Sequence, residues 1–311
     1  MNTVLITGGA GFIGSNLCHR LINDGFKVIC VDNFITGNLS NIYDLMENPN
    51  FKLITQDIIT PLTVDEKIDV IFNLACPASP VKYQKNPIHT IKTSTLGLIN
   101  IIELAKKNNS KLIHASTSEI YGNPTQHPQK ETYNGNVNTW NIRSCYDEGK
   151  RLSETLMFEY TRKYNLDTAT VRIFNTYGPL MDKTDGRVVS NFINQALKND
   201  DLTIYGDGTQ TRSLIYITDL IEGLLTIMEN ITLFDSPINL GNPNELTING
   251  LADMILELTQ SNSLKKYFPL PIADPLKRKP DISLIKSKVN WSPKIKLKEG
   301  LEKTIEYYGG I

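Results

Sequence analysis

Three short stretches of the 311-residue chain carry residue types that could do chemistry. Residues 116 to 122 read STSEIYG, directly after the apolar run KLIHA. Two hydroxyls, Thr117 and Ser118, and the carboxylate of Glu119 therefore crowd the mouth of a buried strand, where a charge is costly unless it meets a partner. Residues 144 to 151 read SCYDEGKR, which puts Tyr146 and Lys150 on one face of a helix, one turn apart. A phenol is a poor base at neutral pH because it titrates near about 10. A neighbouring ammonium, helped by a positive nicotinamide ring, is expected to favour phenolate and bring that value toward the working range. Residues 7 to 14 read TGGAGFIG. Gly8, Gly11 and Gly14 follow a strand and open a helix, the setting in which backbone amides and a helix N-terminus hold a pyrophosphate. The spacing is GxxGxxG rather than GxGxxG, and a lone glycine triplet also suits a tight turn. Asp32 strengthens the dinucleotide reading. It ends the second strand-like run, KVICVDN, where a carboxylate accepts both ribose hydroxyls and repels a 2′-phosphate, so NAD is favoured over NADP.

A Tyr and a Lys four apart are commonly an ordinary surface pair. Here they follow a dinucleotide fingerprint, with hydroxyl residues about 30 positions upstream after a strand, and together these point to oxidation and reduction on a bound dinucleotide.

The elements that must position these groups alternate along the chain. The β-branched runs TVLIT, KVICV, FKLIT, DVIFNLA, KLIHAS and TATVRIF are interleaved with FIGSNLCHRLIND, PIHTIKTSTLGLINIIELAKK and a long helical stretch near 144 to 164. Strands apolar on both faces, separated by helices, predict an α/β fold: a doubly wound parallel sheet covered on both sides. That rhythm holds to about Asn175. Beyond it NTYGPLMDKTDGR is rich in turn residues, the strand-like pieces LTIYG, TRSLIYI and PINLG alternate with helical ones, and WSPKIKLKEGLEKTIEYYGG reads as a capping helix. Residues 1–175 are thus expected to form the dinucleotide domain with the Tyr/Lys helix. Residues 176–311 form a smaller C-terminal α/β lobe for substrate, with some chain crossing back to the main sheet.

Composition narrows the function classes. Lys and Arg (32) nearly cancel Asp and Glu (33), so no overall field draws nucleic acid or an anionic membrane, and an anionic ligand must be held by local groups. Cys18, Cys30, Cys76 and Cys145 have neither a CxxC nor a zinc-type spacing, which favours reduced thiols over a disulfide framework. His19, His89, His114 and His127 are scattered, which argues against a metal site. The first apolar run begins at residue 3 without a basic leader or a long hydrophobic segment, so a cytoplasmic location is expected.

The glycine motif, Asp32, STSEIYG, and Tyr146 with Lys150 resemble the extended short-chain dehydrogenase/reductase superfamily of nucleotide-sugar enzymes over essentially the whole chain. Within it, NLACPASPVKYQKNPIHTIKT, CYDEGKR, RIFNTYGPLM, DGRVVSNFI, LTIYGDGTQTRS and KRKPDI are most similar to the UDP-glucuronate decarboxylase (UDP-xylose synthase) family. This resemblance implies a Rossmann-type fold, NAD as cofactor, UDP-glucuronate as substrate and a homodimer formed through a helix bundle. It also implies cofactor contacts at Phe12, Ile13, Asn33, Phe34, Thr36 and Gly37, and further ones at Asp57, Ile58, Leu74, Ala75, Thr93, Ala115 and Thr176. In the smaller lobe it implies substrate contacts from Asn175, Arg187, Asn191, Tyr205, Gln210, Arg212 and Arg278. Guanidinium suits phosphate by its bidentate geometry, Tyr205 is placed against uracil, and Arg278 beside the reacting sugar.

By the same resemblance Tyr146 takes the proton of the sugar's 4-hydroxyl, Thr117 assists at the C4 oxygen, and Glu119 positions the sugar or a water for the step at C5. Related 4,6-dehydratases carry an Asp-Glu pair where this chain has Ser118 and Glu119. Ser118 supplies no acid for a departing hydroxyl and adds no charge to repel the substrate's own carboxylate. A decarboxylase that releases a 4-keto-pentose, a 4-epimerase, a 4,6-dehydratase, and a non-catalytic NAD-sensing scaffold stay open at this point, although scaffolds of this fold commonly lose the Tyr/Lys pair that this chain keeps.

Overall fold

The computed structural model describes residues 2–270 and 277–310. Strands β1 (Thr3–Thr7), β2 (Lys27–Asp32), β3 (Phe51–Thr55), β4 (Val70–Asn73), β5 (Lys111–Thr117) and β6 (Thr168–Ile173) are the six runs read from the sequence. They pair in parallel in the order β6-β5-β4-β1-β2-β3. The chain thus starts at the centre, winds outward one way through β3, then crosses over to β4 and winds the other way. The switch point lies between β1 and β4, and in such sheets ligands bind outside the carboxyl ends of the strands at that point.

Alternation along each strand builds two cores rather than one. Val4, Ile6, Val28, Cys30 and Phe72 face one side; Leu5, Ile29, Val31, Ile71 and Leu112 face the other. The period of two with both phases apolar leaves neither face fit for water, and helices cover each. Helix α1 (Phe12–Asn23) places Leu17, Cys18 and Leu21 on the first face. The second is covered by α4 (Leu98–Asn108) and by α5 (Ser144–Tyr164), through Ile101, Ile102, Ala105 and Met157.

The stretch PIHTIKTSTLGLINIIELAKK, one amphipathic run in the sequence, is not one regular helix. After a separate short helix, α2 (Pro80–Lys85), the stretch opens as α3 (Pro87–Lys92) and passes through a π-helical turn at Thr93–Gly97 before α4 begins. A Cβ on Gly97 would stand 2.8 Å from the Ile58 side chain, so this turn packs too closely for a larger residue. The extra residue of a π turn re-aims the side chains before it, Thr93 among them.

After β6 come β7 (Thr176–Tyr177), α6 (Val188–Leu197), β8 (Leu202–Tyr205), β9 (Thr211–Ser213), β10 (Ile215–Tyr216) and α7 (Ile217–Glu229). TRSLIYI, expected as one strand, is split at Leu214: β9 pairs with β12 (Glu245–Thr247) and β10 with β7. Between these, β11 (Ile238–Leu240) returns to the main sheet and extends it beside β6, making seven strands. The chain continues through α8 (Ile248–Thr259), β13 (Lys265–Phe268), which pairs with β8, then α9 (Ser283–Val289) and α10 (Leu297–Gly309). The terminal helix starts at Leu297, so WSPKIK is not part of it; Asp219 of α7 instead accepts the amides of Lys294 and Ile295.

The turn between β1 and α1 is tightly packed. A Cβ on Gly14 would lie 2.1 Å from the Gly8 carbonyl oxygen and 2.7 Å from Gly9 Cα, both backbone atoms that cannot swing away. Gly14→Ala should therefore lower stability by about 1–3 kcal/mol and strip the protein of dinucleotide, read by thermal unfolding and by the NAD content of the purified variant. An unchanged melting temperature would mean that the turn can relax.

Candidate active site

A cavity of ≈ 970 Å³ runs along the carboxyl ends of β1, β2, β4, β5 and β6 and under the C-terminal lobe. It gathers almost every residue singled out in the sequence. At one end lie Gly8, Gly11, Phe12, Ile13, Gly14, Asp32, Asn33 and Thr36, with Asp57, Ile58, Leu74 and Ala75 beside them. In the middle are Thr93, Ala115, Thr117, Ser118, Glu119, Tyr146, Lys150 and Thr176. Asn175, Arg187, Asn191, Tyr205, Gln210, Arg212 and Arg278 close the far side. Phe34 and Gly37, expected to touch the cofactor, stand behind that wall. Phe34, held at φ 58°, donates its amide to Asp32 Oδ1 at 2.8 Å. Gly37 lies against the same carboxylate, which a Cβ would approach to 2.7 Å, so both residues shape Asp32.

The first end fits a dinucleotide. Helix α1 begins at Gly11 in extended backbone with no side chain capping it, which leaves first-turn amides for an anion. A Cβ on Gly8 would stand 2.9 Å from the Ala75 amide nitrogen and fill the cradle. Asp32 is buried at the end of β2 and accepts the Ala10 amide through Oδ2 at 2.9 Å. Burial pushes its carboxyl up, and backbone amides, that of Phe34 foremost, pull against it. Asp57 accepts from Asn33 Nδ2 at 2.8 Å and meets His89 Nε2 at 2.6 Å; burial is outweighed there by its hydrogen bonds, and the carboxyl is held below its ordinary range. His89 lines the cavity too, although the sequence offered it only as a scattered histidine.

The middle of the site is a charge cluster assembled from four segments. Thr117 ends β5, its side chain accepting the Glu119 amide at 3.2 Å, and opens the short 3₁₀ turn Ser118–Tyr121. That turn aims Glu119 inward. Arg143, just before α5, donates to Glu119 Oε2, and Arg278 Nη2 stands 3.3 Å from Glu119 Oε1. Burial alone would raise the Glu119 carboxyl, but Arg278 and Arg143 outweigh it and hold it below the usual range, as a carboxylate. Arg278, 1% exposed, also donates through Nη1 to the Ser118 carbonyl, while its Nε has no hydrogen-bond partner among the described residues. A buried guanidinium with an unmet N–H is poised for one more acceptor. On the lobe side Arg187 is held by Asp185, Nη2 to Oδ2 at 2.9 Å, and Tyr205 is half exposed with its ring beside that of Phe268.

Tyr146 and Lys150 share a face of α5 as expected. Lys150 Nζ donates to the Ala115 carbonyl at 2.7 Å, and burial lowers its own titration. The Tyr146 phenol is pushed up, chiefly by burial and next by Cys76; a hydrogen bond with Thr117 and the charge of Arg187 pull the other way. Enclosure is the largest influence on this phenol.

Sequence reasoning missed three neighbours that the fold brings in. Arg143 and Asp147 flank Tyr146 in RSCYDE, and their signal was adjacency to the tyrosine. Tyr83 comes from α2, its ring parallel to that of Tyr146 (3° between planes) with centroids 4.9 Å apart. Asp147 is buried, one carboxylate oxygen without a hydrogen-bond partner. Burial first, and then Glu119, push its carboxyl up to about 7 against the attraction of Arg143 and Arg278. A carboxyl raised in the folded state binds its proton more tightly than the unfolded chain does, so it withdraws stability as pH rises from its unfolded value, about 3.9, through 7. Asn cannot ionise. Asp147→Asn should thus gain about 1–3 kcal/mol on the wild type between pH 4 and pH 8, read from unfolding across pH, whereas a pH-independent difference would show that Asp147 is ionised throughout.

Comparison with known proteins agrees with this geometry. Residues 4–241 match the NAD dependent epimerase/dehydratase family. UDP-glucuronic acid decarboxylase 1 of Arabidopsis thaliana is 49% identical over 302 residues, which are 97% of this chain and 68% of that protein. Another from the same organism, UDP-glucuronic acid decarboxylase 4, is 50% identical, with this chain spanning 66% of its length. UDP-glucuronic acid decarboxylase 1 of Danio rerio is 48% identical over 98% of this chain and 72% of its own. Among solved structures, a UDP-glucuronic acid 4-epimerase from Bacillus cereus, in complex with UDP-glucuronic acid and NAD, superposes with a TM-score of 0.87 at 28% identity, covering 98% of each chain. A UDP-glucose 4-epimerase from Thermotoga maritima with UDP-glucose gives 0.88 at 30% identity, again over 98% of each.

Proposed function

The chain belongs to the NAD dependent epimerase/dehydratase family and, within it, with the UDP-glucuronic acid decarboxylases, and from that premise we propose that it converts UDP-glucuronate to UDP-xylose with NAD as a recycled cofactor. The observation that carries this reading is the end of β5, where Ser118 offers no acid and Glu119 is fixed as a carboxylate between Arg143 and Arg278. Expelling a hydroxyl needs a proton donor at that place, whereas losing carbon dioxide needs none.

Gly8, Gly11, Gly14, Asp32 and Asp57 would hold the cofactor, which when bound accepts a hydride from sugar C4 and later returns it. Tyr146 takes the proton of the 4-hydroxyl. With C4 oxidised, the C5–carboxylate bond breaks and its electron pair spreads onto the C4 oxygen, where the Tyr146 hydroxyl and Thr117 hydrogen-bond the developing charge. Glu119, kept anionic, orients Arg278 and a water at C5. Arg187 and Arg212 take the diphosphate, and Tyr205 the uracil. Residues 176–311 act mainly as the UDP-sugar lobe, and residues 1–175 as the NAD domain.

Two copies pair through α4 and α5, a reading supported by the exposed Leu152 and Phe158 on α5, with Ile91 and Leu96 just before α4. A cytoplasmic location is supported by four free thiols. Among the described residues no helix is long and apolar enough to cross a membrane.

Purified protein incubated with UDP-glucuronate in heavy water should give UDP-xylose with deuterium at C5, read by NMR. Untouched substrate would sink the reading; accumulating NADH with a 4-keto-pentose, or a C4 epimer that keeps its carboxylate, would replace it. Glu119→Gln should keep NAD and UDP binding and lose turnover by about 100-fold or more, and unchanged turnover would remove Glu119 from the mechanism.

A further inference from the structure

The catalytic phenol has one side that the proposed chemistry leaves unexplained. Tyr83 on α2 lies with its ring parallel to that of Tyr146, 3° between planes and centroids 4.9 Å apart, an offset stack. Its own hydroxyl is buried and makes no hydrogen bond, so the contact is made by the ring face. Helix α2 is itself tied down on three sides. Thr90 Oγ1 donates to the Tyr83 carbonyl at 3.2 Å, Lys82 Nζ meets Asp182 Oδ2 at 3.1 Å, and a Cβ on Gly186 would stand 3.0 Å from Val81. The last two contacts anchor α2 to the same turn that carries Arg187.

We propose that Tyr83 is a positioning residue: its ring fixes the plane of the Tyr146 phenol against the sugar's 4-hydroxyl and keeps water from its flank. Lys150 Nζ donates to the Ala115 carbonyl, and neither its remaining N–H groups nor Thr117 could fix more of Tyr146 than its hydroxyl. A ring pinned at one atom still pivots; a second plane laid on it stops the pivot. Because α2 rests on the 182–187 turn, docking of the diphosphate end of a substrate on Arg187 also steadies the stack.

The groups that set the charge state of Tyr146 are Cys76 after β4, Thr117 and Glu119 at the end of β5, and Arg187 before α6, with Lys150 one turn along its own helix. Removing the Tyr83 ring leaves all of these and admits water, so the phenol titrates lower.

The activity assay rests on the decarboxylase reading. Tyr83→Ala and Tyr83→Leu should lower kcat by about 10–100-fold with KM for UDP-glucuronate within about 3-fold, while Tyr83→Phe restores kcat to within about 3-fold of wild type. In Tyr83→Ala the acid limb of the kcat profile should also move to lower pH. Should the Ala variant not fold, the Leu variant carries the test. Phe as impaired as Ala would make the hydroxyl the agent and overturn the proposal, as would an Ala or Leu variant with undiminished kcat or a loss confined to KM. If the wild type leaves UDP-glucuronate untouched, it is the decarboxylase reading that fails. The Tyr146 ring-carbon NMR titration in NAD-loaded protein then decides, a lower value in the variant supporting the stack and an unchanged one overturning it.

Discussion

A carboxylate taken out of water must find cations, and Glu119 finds them in two places that are far apart in the chain. Arg143 arrives on the segment before α5, and Arg278 from beyond the lobe's last strand. Neither arginine lies on a strand of the sheet, where β5 ends at Thr117. The Glu119–Arg278 pair therefore helps to hold the lobe on the sheet, because removing one partner of a buried pair weakens the compensation of the other. The Arg278 contact to the Ser118 carbonyl adds a fixed hydrogen bond to that docking. Stability and the proposed catalysis thus draw on the same few side chains.

Beneath the cavity a second polar chain aligns the sheet with α5. Thr7 Oγ1 donates to Asn73 Oδ1 at 2.6 Å, Asn73 Nδ2 meets His114 Nδ1 at 3.2 Å, His114 Nε2 meets Ser153 Oγ at 2.9 Å, and Ser153 Oγ donates to the Lys150 carbonyl at 2.7 Å. Each hydrogen has one consistent direction if His114 is neutral and protonated at Nε2. Burial and the nearby Lys150 hold it neutral by lowering its titration well below the ordinary range. Four buried polar groups, one from each of β1, β4, β5 and α5, are satisfied together. A fully satisfied network of this kind specifies register, because a slip of one residue would orphan every member. The glycine turn after β1 and the Tyr/Lys helix are thereby held in one frame.

What could be read from the sequence divides along the range of the interactions. The six central strands were legible because their two-sided apolar pattern is local, and the glycine turn with Asp32 because it needs only adjacent elements. Tyr146 and Lys150 were legible as a pair on one helix face. Their electrostatics were not, because the Ala115 carbonyl that takes the Lys150 ammonium is set by packing between α5 and β5. The π turn at Thr93–Gly97 left no mark in the periodicity, and its Gly97 packs against Ile58 from across the fold. TRSLIYI looked like one strand because its two halves are both β-like, although they pair with different partners. Tyr83 gave no signal at all: a tyrosine in a short helix acquires meaning only from the ring it lies against.

On the proposed reading, Ser118 decides between reactions through its surroundings. An aspartate at that place would stand between Thr117 and Glu119 in a site that already holds Glu119 and Asp147 close enough to repel each other. Adding a third carboxyl would raise whichever of the three is least well paired, and so create a neutral acid ready to protonate a leaving hydroxyl. With serine there, the two arginines are sufficient to keep Glu119 ionised, and Asp147 alone bears the excess. The unmet Nε of Arg278 is left for an acceptor from outside the chain. A substrate that brings its own carboxylate is compatible with that balance in a way a neutral hexose is not, since it supplies the anion that the serine omits.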